Sequence, residues 1–572
     1  MSHLDIDFER FLTEEANKYF KAVPTENLLS GDLPREAIYP DKPAPDPKLN
    51  TFNLEDPAIG FHDPNFHREN ATIPLAGNGR QPGIYNPVLP PATGIGIEPQ
   101  VNKLPFAETA ENPLGTLRGT LQQLTSFQHG AQIPRGDSIN SFYFIQSGAK
   151  VENTSPLPYD TLKSHFDVQS IRRDFPVLQE NVRGRPLVWL DNAATTQKPQ
   201  VVIDRISRFY QTENSNIHRA AHELAARATD AYEESRNIIK NFLNASSPNE
   251  IIFTRGTTES INLVANSWGD QHLGPDDEII ISYLEHHANI VPWQQLSQKK
   301  GFKIRVIPVD EQGNLHFDEY SKLLSSRTKL VSFTHVSNAL GTITPAKAII
   351  DAAHRVGAKV LLDGAQSVSH IAIDLQYLNP DFFVFSGHKI FGPTGIGVLY
   401  GKEDILNNTQ PYQSGGNMIR DVSFEKTEFH AAPNRFEAGT GNIADAVGLG
   451  AAIRYVQAIG IDNIYHYEHD LLDYATRLLK QIAGVILIGT AKEKTSVLSF
   501  TLSGYSNNEV GQALNEVGIA VRTGHHCAQP ILRRLGYESS VRPSLAFYNT
   551  HQEIDLLALT VERLASRNKR FY

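Results

Sequence analysis

One cysteine occurs in the 572 residues, Cys527, and it stands in the run Arg522-Thr-Gly-His525-His526-Cys527-Ala-Gln-Pro530. A lone cysteine excludes an intrachain disulfide and a cysteine-based zinc cage. By itself it reads as a small buried hydrophobe, but its neighbours point to chemistry. An ordinary thiol has a pKa of about 8.5, so only a small fraction is thiolate at neutral pH. Arg522 and a histidine close by in the chain would favour the nucleophilic thiolate. The short segment from Gly524 to Pro530 predicts a tethered loop. Such a loop reaches into a site but projects poorly outward, so an acceptor of anything carried on Cys527 would have to come to it.

A second set of residues closes apolar, strand-like runs, the place where ligands sit in open α/β sheets. Lys389 lies in Ser386-Gly-His388-Lys389, after Phe382-Phe-Val-Phe385 and before the turn Gly392-Pro-Thr-Gly395. Alone it reads as a surface lysine; here it fits a Schiff-base lysine beside a phosphate cup. Asp363 ends Lys359-Val-Leu-Leu-Asp363. A carboxylate there is costly to bury unpaired and should face a positive partner. Thr257 and Thr258 follow Arg255-Gly256 and open a helix, whose free N–H groups make a phosphate site. His286 and His287 follow the run 278–282. They could stack on a ring or bind a metal, although no cysteine or third histidine at ligand spacing accompanies them. An attachment lysine, a carboxylate for a ring nitrogen, phosphate donors and a stacking group are the four demands of pyridoxal 5′-phosphate (PLP).

These side chains need a scaffold. Apolar runs at 187–190, 250–254, 278–282, 329–334, 359–363 and 382–386 alternate with helix-like stretches such as 225–242 and 345–356. The alternation predicts an α/β fold with a mostly parallel central sheet and helices on both faces. A smaller C-terminal α/β part, with strand-like runs at 496–500 and 518–521, is expected from about residue 450. Residues 166–450 would then bind the cofactor, and 451–572 would carry Cys527.

Residues 1–165 have a different texture. Of the 33 prolines, 19 fall in the first 160 residues, which predicts a largely disordered extension. Ile38-Tyr39-Pro40, Ile84-Tyr85-Asn86-Pro87 and Phe142-Tyr-Phe-Ile145 are apolar islands suited to a partner's groove. Phe8, Phe11, Leu12, Ala16, Tyr19 and Phe20 share one helical face, which predicts a docking helix. The net charge of −10 and pI near 6.1 argue against nucleic acid as a partner. No run approaches the ~18 apolar residues of a membrane span. The acidic start, Met1 to Arg10, lacks the apolar core of a secretory signal, so a cytoplasmic protein is expected.

Residues 166–572 resemble a group II cysteine desulfurase of the SufS type, a PLP fold-type I architecture of the aminotransferase class V kind. The resemblance rests on Asp174-Phe-Pro-Val-Leu178, Leu190-Asp-Asn-Ala-Ala194, Arg255-Gly-Thr-Thr-Glu259, Glu285-His-His-Ala-Asn289, Val336-Ser-Asn-Ala-Leu-Gly341, Asp363-Gly-Ala-Gln366, Ser386-Gly-His-Lys389 and the Cys527 run. It implies that Lys389 holds PLP, that Asp363 pairs with the ring nitrogen and that Gln366 contacts the ring oxygen. It further implies that His286 stacks and moves protons, and that Thr258, Ser386 and His388 bind phosphate. Thr440 would reach the phosphate of the other subunit of a homodimer. Arg542 and Asn338 would hold the carboxylate of L-cysteine; Arg522 is expected to join them in binding substrate as well as to activate Cys527, and no metal is expected. The product would be L-alanine, with a persulfide left on Cys527.

Where the family usually has three glycines, this chain has Ser414-Gly-Gly416, and Gly441 replaces a usual proline. The long extension resembles that of desulfurases carried as cargo inside encapsulin nanocompartments, which implies a shell protein as partner. Rival readings are an iron–sulfur assembly desulfurase with a docking arm and a sulfur-acceptor protein, a selenocysteine lyase, and a PLP-fold scaffold without turnover.

Overall fold

The computed structural model describes residues 166–218 and 221–568. The expected disordered extension at 1–165, with its docking helix and aromatic islands, lies outside the described residues.

Seven strands form the central sheet: β1 (Ile251–Thr254), β2 (Glu278–Ser282), β3 (Lys303–Ile307), β4 (Thr328–Thr334), β5 (Lys359–Asp363), β6 (Phe382–Ser386) and β7 (Gly397–Gly401). Their order is β1-β7-β6-β5-β4-β2-β3. β7 runs antiparallel to both neighbours and the other pairings are parallel. A sheet covered on both faces gives continuous apolar runs rather than alternation, which is how β1, β2, β5 and β6 read. Side chains still alternate between two cores: Phe383 and Phe385 join one, Phe382 and Val384 the other.

The cover comes from α1 (Glu223–Phe242), α2 (Thr257–Val264), α3 (Val291–Lys300) and α4 (Ile443–Ile459). α1 buries Ala228, Tyr232, Ser235 and Ile239, spaced three or four residues apart on one face, and packs against α4. α2 and α3 cover the opposite face through Ile261, Val264, Trp293 and Leu296. Among the described residues, no helix is long and apolar enough to cross a membrane.

A second, antiparallel sheet contains β8 (Val485–Ile488), β9 (Ser499–Leu502), β10 (Arg522–Gly524) and β11 (Ser540–Arg542), in the order β8-β9-β11-β10.

Three expectations shift. The run 187–190 gives only the pair Val188–Trp189, which joins Ile519–Ala520 in parallel instead of entering the large sheet. Val188 and Leu190 lie in the smaller core. The run 518–521 is likewise spent on that pairing. The boundary expected at 450 is crossed by α4, whose residues as far as Val456 pack in the large core.

Candidate active site

The floor is set by strand ends. Register pairs Thr334 of β4 with Asp363 of β5, and Asp363 with Val384 of β6. Lys389 follows β6 on a single tight turn, Gly387–Lys389. Phe391 anchors that turn: its N–H donates to Thr196 Oγ1 at 2.8 Å, and its ring packs 4.4 Å from that of Phe547. The N-terminus of α2 is brought against β7, where a Cβ on Gly397 would lie 2.4 Å from Gly256 Cα. Gly256, at φ +150°, allows that approach. Ser386 Oγ then accepts from the Thr257 N–H at 2.9 Å and sits 2.8 Å from Thr257 Oγ1.

Lys389, Asp363, Gln366, Thr258, Ser386, His388, His286, Asn338, Arg522, Arg542 and Cys527 all line one cavity of about 190 Å³. Thr440 is exposed outside it.

Burial sets the charges. It pushes Lys389 down to about 8, helped by repulsion from Arg542 and Arg522 and opposed by Asp363. Burial raises Asp363 above the usual carboxylate range; the Ala365 N–H donates to it at 2.9 Å. His286 is lowered to about 3, by burial first and then by Lys389. Its Nδ1 accepts from the Ala288 N–H at 3.0 Å, so the neutral ring carries its proton on Nε2. His388 is lowered to about 4 in the same way.

The Cys527 end is held by backbone. His526 and Cys527 are both left-handed, at φ 54° each. Asn338 Nδ2 donates to the His526 carbonyl at 2.7 Å, and the His287 N–H donates to the Cys527 carbonyl at 2.8 Å. The Cys527 N–H donates to His525 Nδ1 at 3.1 Å. His526 is buried against Ser540 Oγ at 2.8 Å, and burial lowers it to about 3. It therefore supplies no positive charge to the thiol. The cations lining the cavity are Arg522, Arg542 and Lys389.

Two carboxylates were missed by sequence reasoning. Asp191 accepts from Arg542 at 2.9 Å and pairs with Arg522 at 3.3 Å. It follows an apolar run, as Asp363 does, and that was the available signal. Glu285 is buried beneath the histidine turn, where Ser282, Asn289 and the Thr334 N–H donate to it. Burial raises it to about 8.

Among the described residues, no group of three or more His, Cys, Asp or Glu is placed to hold a metal ion.

The family model for aminotransferase class V matches residues 188–557. A probable cysteine desulfurase of Mycobacterium leprae is 54% identical over 528 residues, 88% of this chain and 86% of that protein. This chain belongs to the cysteine desulfurase family. A cysteine desulfurase of Synechococcus elongatus is 69% identical over 399 residues, 70% of this chain. That match spans 64% of the Synechococcus protein, just under two thirds. An apo cysteine desulfurase structure from Thermococcus onnurineus superposes with a TM-score of 0.67 at 37% identity, covering 70% of this chain and 98% of that one. The Mycobacterium match reaches well into residues 1–165, since it leaves only 12% of the chain uncovered.

The family is PLP-dependent, and the cavity fits the cofactor. A buried carboxylate with a raised pKa suits a protonated ring nitrogen, the Thr257–Ser386 corner suits a phosphate, and Lys389 is partly neutral near pH 8. Asn338 Oδ1 and Arg542 Nε are buried without a partner. Such atoms need one, and an amino-acid substrate offers both an ammonium and a carboxylate.

Proposed function

We propose that this chain is a SufS-type, group II enzyme that converts L-cysteine to L-alanine and keeps the sulfur as a persulfide on Cys527. The observation that carries the reading is the shared cavity: Lys389, Arg542 and Cys527 line the same 190 Å³. When bound, PLP supplies an electron sink for the charge that develops at the substrate α-carbon.

Arg542 binds the substrate carboxylate, its guanidinium presenting a fork that a lysine lacks. Asn338 donates its second Nδ2 proton to the same carboxylate, the first being held by His526 O. Asp363 would be the counter-charge of the cofactor ring, Gln366 would face the ring oxygen, and Ser386, Thr258 and His388 would hold the phosphate. Lys389 Nζ, eased toward its neutral form by burial, takes the α-proton. His286, neutral with its proton on Nε2, stacks and relays protons without adding charge. Cys527 Sγ attacks the substrate sulfur. One S–S bond forms, the C–S bond breaks, and the three-carbon fragment takes one proton at its β-carbon and recovers the α-proton from Lys389 to become alanine. No external oxidant or reductant is needed, because the sulfane sulfur gained by Cys527 matches the reduction of the substrate carbon.

The functional unit is a homodimer in which Thr440 serves the partner's phosphate. Residues 1–165 load the enzyme into an encapsulin shell in the cytoplasm. Several weak apolar islands on one segment bind by avidity, and the Mycobacterium relative shares much of the segment.

Replacing Lys389 by Ala is expected to abolish both the yellow colour of the PLP-loaded protein and alanine formation. A Lys389→Ala protein that stays yellow and active overturns the site. Deleting residues 1–160 is expected to leave turnover within a few-fold and to end co-purification with the co-expressed shell. Retained co-purification, or an unfolded enzyme, overturns the cargo reading.

A further inference from the structure

Helix α5 (Ile461–Gln481) packs against β8, and their junction opens on a second cavity of about 210 Å³. It shares no lining residue with the cavity of Lys389 and Cys527. Lys480 reaches it from the last turn of α5. Lys492 and Lys494 reach it from the loop that joins β8 to β9. Lys480 and Lys492 are exposed, and alone they would be solvated surface lysines. Lys494 is different. It is recessed, its Nζ donates to the Gly489 carbonyl at 2.7 Å, and no carboxylate is paired with it among the described residues. Burial, and then repulsion from Lys480, lowers it to about 8. A recessed ammonium with a neutral partner is costly to keep.

The surroundings do not cancel these charges. Asp473 is the one carboxylate lining the cavity, and its Oδ2 lies 3.8 Å from His469 Nε2. Glu468 is taken by His370 at 2.6 Å and by Ser496 at 3.2 Å, and Glu493 does not line the cavity. The C-terminus of α5 adds a partial charge of about −0.5. Three ammonium groups therefore keep an excess of more than one positive charge. The loop that carries two of them is set by backbone contacts. A Cβ on Gly489, at φ +74°, would lie 2.7 Å from Leu340 Cβ. The Thr495 N–H donates to the Gly341 carbonyl at 2.8 Å, and the Ile343 N–H donates to the Glu493 carbonyl at 3.0 Å. Lys494 is thus held at the cavity by its backbone, and its charge is left for something else.

We propose that this cavity is a second ligand site, separate from the catalytic one, which takes a phosphate monoester through Lys480, Lys492 and Lys494. Lysine ammonium groups are compact charges suited to phosphate oxygens. A phosphate monoester is close to doubly negative above neutral pH, which matches the positive excess. Thr476 and Thr490 add hydroxyls. Leu472 and Leu487 line the remainder and leave room for a small organic group on the ester. The bound ligand ties the end of α5 to the loop after β8. The inference goes beyond the desulfurase reading and does not depend on it.

The test is calorimetric titration of the full-length, PLP-loaded protein with methyl phosphate, the cofactor's own phosphate cup being filled. Wild type is expected to bind saturably, and Lys494→Met to bind roughly tenfold more weakly or worse, the scale of one lost charge-assisted hydrogen bond. The double variant Lys480→Gln with Lys492→Gln, at two exposed positions, carries the same expectation and keeps the test decisive if Lys494→Met does not fold. In phosphate-free buffer Lys494→Met is expected to melt no lower than wild type, because it removes a poorly paired charge. Binding that does not saturate is general stabilisation by salt and overturns the site. So does binding equal in wild type and variants, which places the anion elsewhere, for instance on Arg542. Malonate bound as tightly as methyl phosphate, and lost equally in Lys494→Met, overturns the phosphate assignment. A Lys494→Met protein that melts lower than wild type without phosphate marks Lys494 as a structural residue and overturns its role as a ligand group.

Discussion

The His287 N–H donates to the Cys527 carbonyl at 2.8 Å, joining the turn that carries His286 to the loop that carries the thiol. The Asn338 side chain makes the matching bond to the His526 carbonyl. Cys527 is thus placed by backbone bonds made through its own carbonyl and that of its neighbour. A loop with two successive left-handed residues is held open to the cavity by these bonds, at a local conformational cost.

That cost is measurable at residue 527. Its φ of 54° disfavours any side chain with a Cβ, and glycine is exempt. Cys527→Gly is expected to be more stable than Cys527→Ala by about 1 kcal/mol. Denaturant unfolding of the two variants checks this; alanine equal to or more stable than glycine contradicts the strained-loop geometry.

Lys389 gives a pH signature. Because burial lowers it to about 8, its neutral, nucleophilic form grows as pH rises through 8 and saturates above. PLP uptake by the apoenzyme, followed by the yellow colour, is expected to accelerate from pH 6.5 and level off near pH 9. An ordinary lysine has a pKa of about 10.4. A rate still climbing steeply beyond pH 9 would mean that the cavity does not perturb Lys389.

Arg542→Lys replaces a fork that reaches the Asn338 carbonyl and Asp191, each at 2.9 Å, by a point charge. Apparent binding of L-cysteine is expected to weaken by ~1–3 kcal/mol. Steady-state kinetics decide it; an unchanged KM moves the carboxylate anchor to Arg522 or Asn338.

Much of this was legible in the sequence for one reason. A charged or hydroxyl residue that closes an apolar run must lie at a strand end, and strand ends build the site. Asp363, Ser386 and Lys389 obey that rule. Asp191 obeys it too, but its task depends on the register of β10 against β11, a pairing more than 300 residues downstream that no local pattern encodes. β3 was hidden because it is an edge strand, whose Lys303 and Arg305 break the apolar run. β7 was hidden because glycines bound its short core, Gly397-Val-Leu-Tyr-Gly401. α4 runs across the division expected at 450 because it is Ala- and Gly-rich and buried in the large core as far as Val456, so composition does not change there. The neutrality of His526 followed from burial, which sequence spacing beside Cys527 does not report.

The most direct test of the account is the mass of Cys527 itself. The PLP-loaded enzyme is mixed with L-cysteine in the absence of any thiol acceptor, quenched and digested. The peptide containing Cys527 is expected to be heavier by one sulfur atom, with one alanine released per modified site, and Cys527→Ser is expected to stay yellow while forming no alanine. Alanine released by Cys527→Ser at the wild-type rate, or an unmodified Cys527 peptide alongside free sulfide, would contradict the assignment of Cys527 as the sulfur acceptor.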